Sequence, residues 1–317
     1  MHYRPLGSTN LKVSVLGFGC APVASRAGSG QSTRAIRLAL DKGVTYFDTA
    51  DMYGLGGSER ILGAVTAGRR DSVVISTKCG FTFSAGLRAV SWVKPLLRPF
   101  VTRLKAVKNS AGAIMASQRS QNFEPDYIGR CVDASLGRLG LDAIDLFYLH
   151  EPPIAVADRA DVFQKLAELK NAGKIRFYGV SSDAEFAARV LGSGGSGISA
   201  VQVNAGIVDQ QPLATVLPLA RAMGVAFIAR QPFTNGRVFG NRELLDRLAS
   251  AGLPTDPAYV ASLALRFLRD TPGVSAILPS MMRPEHINAN VAAIEQPPLN
   301  EQERSVAAGL AAAPAQG

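Results

Sequence analysis

The chain has 317 residues, of which 47% are hydrophobic and 19% charged, so it can bury one large core and lacks the composition of a disordered polypeptide. No apolar run approaches the roughly 20 residues needed to span a bilayer, and Met1-His2-Tyr3-Arg4-Pro5 opens no signal-peptide pattern. With three widely spaced cysteines, Cys20, Cys79 and Cys131, a reducing, cytoplasmic setting with free thiols is expected, without a transmembrane segment. The net charge of +9 is local: Arg88, Lys94, Arg98, Arg103, Lys105, Lys108 and Arg119 lie in a stretch without one acidic residue, and setting these seven aside leaves +2. Aromatic residues are not interleaved with the basic ones in the way nucleic-acid binding would require, so no nucleic-acid partner is expected.

In chain order, residues 4–13 read as a hairpin around a polar turn. Eight short β-branched or apolar runs follow: 15–19, 45–48, 73–77, 144–149, 176–180, 200–203, 226–229 and 275–278. Helical patterns fall between them at 33–42, 58–65, 125–139, 161–172, 183–191 and 258–269. Ser32, Ser58-Glu59 and Asp183 stand where helix-starting residues are expected. Such alternation predicts parallel strands. Gly17-Phe18-Gly19 continues as Cys20-Ala21-Pro22 and not as a dinucleotide fingerprint, which favours a closed (β/α)₈ barrel of the TIM type over a doubly wound sheet.

One segment breaks the alternation. From Gly86 to Gln121 apolar residues recur at helical spacing, with basic residues filling much of the opposite face. It reads as an inserted basic amphipathic flap over the barrel mouth; an amphipathic helix packed beside the barrel is the alternative. The Ala-, Pro- and Gly-rich tail, 311–317, is expected to fray.

In such a barrel the active site lies at the carboxyl ends of the strands. Asp48 ends the second run, Lys78 the third and His150 the fourth; Ser181 and Ser182 follow the fifth, Gln202 lies in the sixth, and Arg230 follows the seventh. Tyr53 sits five residues past Asp48, in the loop above that face. A carboxylate that keeps a lysine charged, beside a phenol whose pKa the ammonium lowers, makes a proton donor for an oxygen that gains charge. An imidazole beside it can hold a carbonyl oxygen. Each residue alone also has an ordinary structural reading, as cap, loop anchor or strand end; the case rests on the four together.

Phe47-Asp48-Thr49-Ala50-Asp51-Met52-Tyr53-Gly54 with Ser58-Glu59, and Ser135-Leu136-Gly137-Arg138-Leu139 with Asp142, Asp145-Leu146 and His150, resemble the two signatures of the aldo-keto reductase family. The likeness runs from the hairpin to Asn290 and implies one barrel over residues 1–317. It further implies catalysis by Tyr53, Lys78, Asp48 and His150, with Tyr53 the general acid/base. Cofactor contacts are implied at Gly19, Cys20, Ser181, Ser182, Gln202, Arg230, Pro232, Phe233, Gly236, Ser280, Arg283, His286 and Asn290. The position of Ser182 is often Asn in the family, and Ser280 and His286 stand where many members carry a Lys and an Arg. NADPH is therefore the implied cofactor, with NADH open and no metal. Ala21, Tyr53 and His150 are the implied substrate pocket for a small carbonyl compound or sugar, in a monomer or weak oligomer. Alternatives within this reading are an NAD(P)⁺-dependent sugar dehydrogenase and a cofactor-binding regulatory subunit.

Overall fold

A computed structural model describes residues 1–24, 27–82 and 120–311. Strands β1 (Tyr3–Pro5) and β2 (Lys12–Ser14) form the expected antiparallel hairpin. Eight parallel strands then run in the order β3 (Phe18–Gly19), β4 (Tyr46–Asp48), β5 (Val74–Cys79), β8 (Ile144–His150), β9 (Ile175–Ser181), β10 (Ala200–Asn204), β11 (Ala226–Arg230) and β12 (Val274–Leu278). The sheet closes on itself where Leu16 bridges Ile277; Gly17 N donates to Ile277 O at 2.8 Å and Ile277 N to Val15 O at 2.7 Å. All eight predicted strands are present, each with bounds within a few residues of those expected.

Helices cover the outside: α1 (Ser29–Asp41), α2 (Gly57–Thr66), α3 (Pro125–Leu139), α4 (Ala160–Asn171), α5 (Ala184–Gly192), the short α6 (Gln211–Thr215) and α7 (Leu217–Ala222), α8 (Arg242–Ser250), α9 (Pro257–Asp270), α10 (Pro284–Glu295) and α11 (Glu301–Ala311). Two expected helix starts are corrected. Gly28 caps α1, so Ser32 lies one turn inside, buried, its hydroxyl without a hydrogen-bond partner among the described residues. Helix α2 begins at Gly57 after the left-handed Gly56, and Ser58 and Glu59 turn inward. Ser58 Oγ accepts from Thr49 Oγ1, and Glu59 accepts from Thr77 Oγ1 at 2.7 Å and from Arg138 Nε at 2.5 Å. Their polar atoms fasten the helix to the barrel and the neighbouring helix α3. Asp183 does cap α5, accepting from Phe186 N at 2.8 Å.

Strand alternation sorts the side chains into two layers. Tyr46, Val74, Leu146, Tyr148, Ala200, Ala226, Ile228, Ala276 and Leu278 pack together inside the barrel, with Leu6, Leu11 and Val13 of the hairpin region in the same cluster. Their neighbours Phe47, Ile75, Phe147, Leu149, Val201, Val203, Phe227, Ala229 and Ile277 pack outward among the helices. The hairpin turn needs Gly7: φ is +55°, and a Cβ there would stand 2.5 Å from Gly224 O. Inside, Gly179 leaves room for both Tyr148 and the Ala200 carbonyl, which a Cβ would meet at 2.1 Å.

Residues 86–119 of the expected flap lie outside the described residues, as does the tail after Ala311. The stretch is flanked by a small antiparallel pair, β6 (Phe81–Thr82) with β7 (Ser120–Gln121), directly above β5. Among the described residues, no helix is long and apolar enough to cross a membrane.

Candidate active site

The inward parity that fills the barrel with apolar side chains lower down turns polar at the strand ends. Asp48 follows Tyr46 by two residues, Lys78 follows Val74 by four, and His150 follows Tyr148 by two. Lys78 and Asp48 meet in the interior: Nζ donates to Asp48 Oδ2 at 2.5 Å and to Thr49 O at 2.7 Å, with the side chains only 1% and 7% exposed. The other carboxylate oxygen of Asp48 accepts from Ser76 Oγ at 2.7 Å and from Gln202 Nε2 at 2.9 Å. Ser181 Oγ donates to Gln202 Oε1 at 2.8 Å, and Arg230 Nη1 donates to Ser181 Oγ at 3.3 Å. A continuous polar chain thus runs from Lys78 through Asp48, Gln202 and Ser181 to Arg230.

Tyr53 is brought to this pair by a tight loop. Tyr53 N donates to Ala50 O and Ser58 N to Tyr53 O. Gly54 takes φ +58°, and a Cβ there would press within 2.8 Å of Ala24. Lys78 Nζ stands 5.1 Å from the Tyr53 ring centre. The His150 ring meets Tyr53 edge-on with centroids 5.9 Å apart and meets Phe81 edge-on at 5.2 Å. Burial pushes the Tyr53 phenol above its ordinary value; Lys78 pulls it down, Asp48 pushes it up and Arg230 pulls it down. The expectation that the ammonium leaves a lowered phenol is therefore reversed by desolvation. Burial opposes the Lys78 ammonium, but Asp48 and Tyr53 outweigh it and hold the lysine above its usual value.

Ten of the thirteen residues expected to hold a cofactor fall into two groups. Pro232, Phe233, Gly236, Ser280, His286 and Asn290 line a cavity of about 1030 Å³ running from the loop after β11 to α9 and α10. Ser181, Ser182, Gln202 and Arg230 lie instead beside Asp48; Ser182 N donates to Gln202 O, and Ser182 O accepts from Arg230 Nη2 at 3.2 Å. Gly19 sits at the barrel seam, its N–H donating to Pro279 O. Cys20 is fully buried, its Sγ 3.8 Å from Phe18 O, and outside the cavity lining. Arg283 is exposed at the N-cap of α10 and does not line the cavity either. Ala21 is exposed on the loop after β3.

Several residues with no motif to mark them join the site. Phe81 packs on His150. Glu151, next to His150, takes φ +51° and pairs with Arg230 Nη1 at 2.6 Å. In the loop after β11, Gln231, Thr234 and Asn235 all have positive φ. Such strain in non-glycine residues concentrates at functional sites. The only sequence signal for these residues was adjacency to a strand end. Among the described residues, no group of His, Cys, Asp and Glu is arranged to hold a metal ion.

The model of the aldo/keto reductase family matches residues 15–308. The chain belongs to the aldo/keto reductase family. A pyridoxal 4-dehydrogenase from Microbacterium luteolum is 28% identical, with 92% of this chain and 93% of the relative covered. The holo form of aldo-keto reductase AKR11C1 from Bacillus halodurans superimposes with a TM-score of 0.77 at 28% identity, covering 98% of this chain and 96% of that one. An aldo/keto reductase from Klebsiella pneumoniae, solved in complex with NADP and acetate, shares the fold with a TM-score of 0.71 at 23% identity, covering 100% and 98%. As a member of this family the chain is an oxidoreductase.

The buried charge pair sets a stability test. Lys78→Met leaves the Asp48 carboxylate without its cation and is expected to cost about 3–5 kcal/mol. Lys78→Met combined with Asp48→Asn should recover much of that loss, as read by chemical denaturation of both variants beside the parent.

Proposed function

We propose that this aldo/keto reductase reduces an aldehyde or ketone to an alcohol with NADPH as cofactor, Tyr53 serving as the general acid. The observation that carries this reading is the convergence of Tyr53, His150 and the Lys78–Asp48 pair at one end of the barrel. The residues present suit a dinucleotide. The cavity is large enough for one. At Gly236, φ is +90° and a Cβ would meet nothing within 4 Å, so backbone is open to an approaching ligand. Buried polar atoms with no hydrogen-bond partner among the described residues, Asn204 Oδ1, Arg230 Nε and Thr234 Oγ1, lie at the ends of β10 and β11 and in the loop that follows.

In this reading the polar chain from Asp48 to Arg230 orients the nicotinamide end, with Ser181 and Gln202 offering their amide and hydroxyl groups. Pro232, Phe233 and Gly236, with Ser280, His286 and Asn290, line the cavity that would hold the diphosphate and adenosine. Arg283 at the start of α10 is the cation available to a 2′-phosphate, at a helix end that favours anions. Bound, the cofactor supplies the hydride. His150 directs the carbonyl oxygen toward Tyr53, and Tyr53 releases its Oη proton to that oxygen as charge develops there. Lys78, held charged by Asp48, stabilises the phenolate that remains. Ala21, exposed on the loop after β3, is the small residue this reading gives to the substrate pocket.

The same residues run in reverse for alcohol oxidation, and the likeness to a pyridoxal 4-dehydrogenase favours keeping that direction as the second reading. Steady-state assays with carbonyl compounds plus NADPH, set against alcohols or sugars plus NADP⁺, separate the two.

Tyr53→Phe removes the transferred proton and should lower kcat by about 10²–10⁴-fold, with cofactor affinity by fluorescence titration unchanged. Retained turnover would exclude Tyr53 as the acid. The phenol is raised above its ordinary value, so the proton needed for reduction stays in place through neutral and mildly alkaline pH and is lost only above the usual tyrosine range. The kcat/KM for reduction should accordingly stay level from about pH 6 to 9, below the reference tyrosine value of about 10. A fall near neutrality would assign the proton to another group. Arg283→Ala should weaken NADPH much more than NADH in parallel titrations; equal losses would give Arg283 a packing role.

A further inference from the structure

Glu151 has no part in the proton-transfer reading above, yet its N–H, carbonyl and carboxylate are all engaged. Its backbone N–H donates to Ser181 O at 2.7 Å, and its carbonyl accepts from Gln121 Nε2 at 2.6 Å. It follows His150 directly, and φ of +51° turns its side chain away from the path of β8. The carboxylate then reaches Arg230 Nη1 at 2.6 Å. Arg230 is the more enclosed partner, with a side chain 12% exposed against 41% for Glu151. Its guanidinium also donates to Ser181 Oγ and Ser182 O, which keeps it next to the Asp48 network. The charge of Arg230 is felt at both Tyr53 and Lys78.

We propose that Glu151 is a positioning and charge-balancing residue: by neutralising Arg230 at the mouth of the barrel, it lets the site accept the cationic, oxidised nicotinamide as well as the neutral, reduced one. The inference rests on the proposed function, in which Arg230 lies beside the nicotinamide. Its physical basis is simple. An unpaired guanidinium repels the positive oxidised ring and has little effect on the uncharged reduced ring. With Glu151 in place, Arg230 keeps its planar donor face for positioning while its net charge is cancelled locally. Glu151 thereby sets the ratio of affinities for the two redox forms, and with it the poise of the bound pair. The strained backbone at Glu151 fits this role, since a residue in an ordinary strand conformation would continue β8 and not turn toward β11.

Isothermal titration of the purified full-length protein with NADPH and with NADP⁺ tests this directly, because it reads affinity and not turnover. In Glu151→Gln, the ratio of the NADP⁺ to the NADPH dissociation constant should rise by about fivefold, the size expected of one uncompensated charge in a partly solvated site. Arg230→Gln should move the ratio the other way, and the double variant should return it to near the parent value. Glu151→Asp, which retains the charge with a minimal change of shape, should stay within about twofold of the parent. Equal weakening of both forms in Glu151→Gln would reduce Glu151 to a structural anchor and overturn the proposal, as would no change in either. A parent protein that binds neither form would instead overturn the cofactor reading itself. Circular dichroism of each variant separates a shifted ratio from a loss of fold.

Discussion

The ion pair between Lys78 and Asp48 is the constraint around which the upper half of the barrel is arranged. Two opposite charges almost wholly removed from water are tolerable only when their remaining hydrogen-bonding capacity is met. The structure meets it with Thr49 O on the lysine and with Ser76 and Gln202 on the carboxylate. Each of these partners lies on or next to a barrel strand. The pair therefore fixes the relative height of β4, β5 and β10, and Gln202 carries the same demand to Ser181 and Arg230. Below it, the hydroxyls of Tyr46 and Tyr148 meet at 3.2 Å, and Ser76 Oγ, whose proton goes to Asp48, stands 3.1 Å from Tyr46 Oη. The step from apolar filling to proton chemistry thus passes through a layer of neutral hydroxyls. Burial holds Tyr46 and Tyr148 firmly protonated.

The strands were legible in the sequence, and the reason is the simplicity of their environment. A strand walled by a filled barrel on one side and helices on the other is apolar along nearly its whole length, so runs such as Ile144–Leu149 stand out against polar helix surfaces. Motif spacing also carried the catalytic candidates: the ends of three runs bring Asp48, Lys78 and His150 to the same face, and Tyr53 sits in the loop above it. The helix starts were less legible. Ser32 and Ser58 have the composition of caps, but capping is a local preference, and both were taken into tertiary packing: Ser32 on the buried face of α1, Ser58 onto Thr49 and Cys20. Asp183 kept its local role because it lies in the turn after β9 with the first amides of α5 directly after it.

The proposed cofactor side of the site was half legible for a related reason. Pro232, Phe233 and Gly236 were drawn from motif likeness, and they do share one cavity. Their neighbours Thr234 and Asn235 owe their place to backbone conformations that side-chain chemistry does not announce. A left-handed φ at Thr, a β-branched residue, has no propensity behind it and arises only where surrounding structure enforces it. Phe81 was hidden differently: it stands two residues beyond Cys79, on the short strand β6, and only the folded barrel shows that its ring faces His150.

Glu151 extends the logic of the buried pair to the rim. Two ion pairs flank Tyr53, Lys78–Asp48 within the barrel and Arg230–Glu151 at its mouth, and the same hydrogen-bonded chain joins their members. The inner pair is dry, so its charges act strongly and must be fully satisfied. The outer pair is partly solvated, so water damps its influence and it can be altered without unfolding the strands beneath. A site built this way divides two tasks by depth. In the proposed reading the inner pair governs where the proton resides, and the outer one governs which charge state of a ligand is welcome above it. The two are linked through Ser181 and Gln202, so hydrogen bonds alone connect Arg230 at the mouth with Asp48 in the interior.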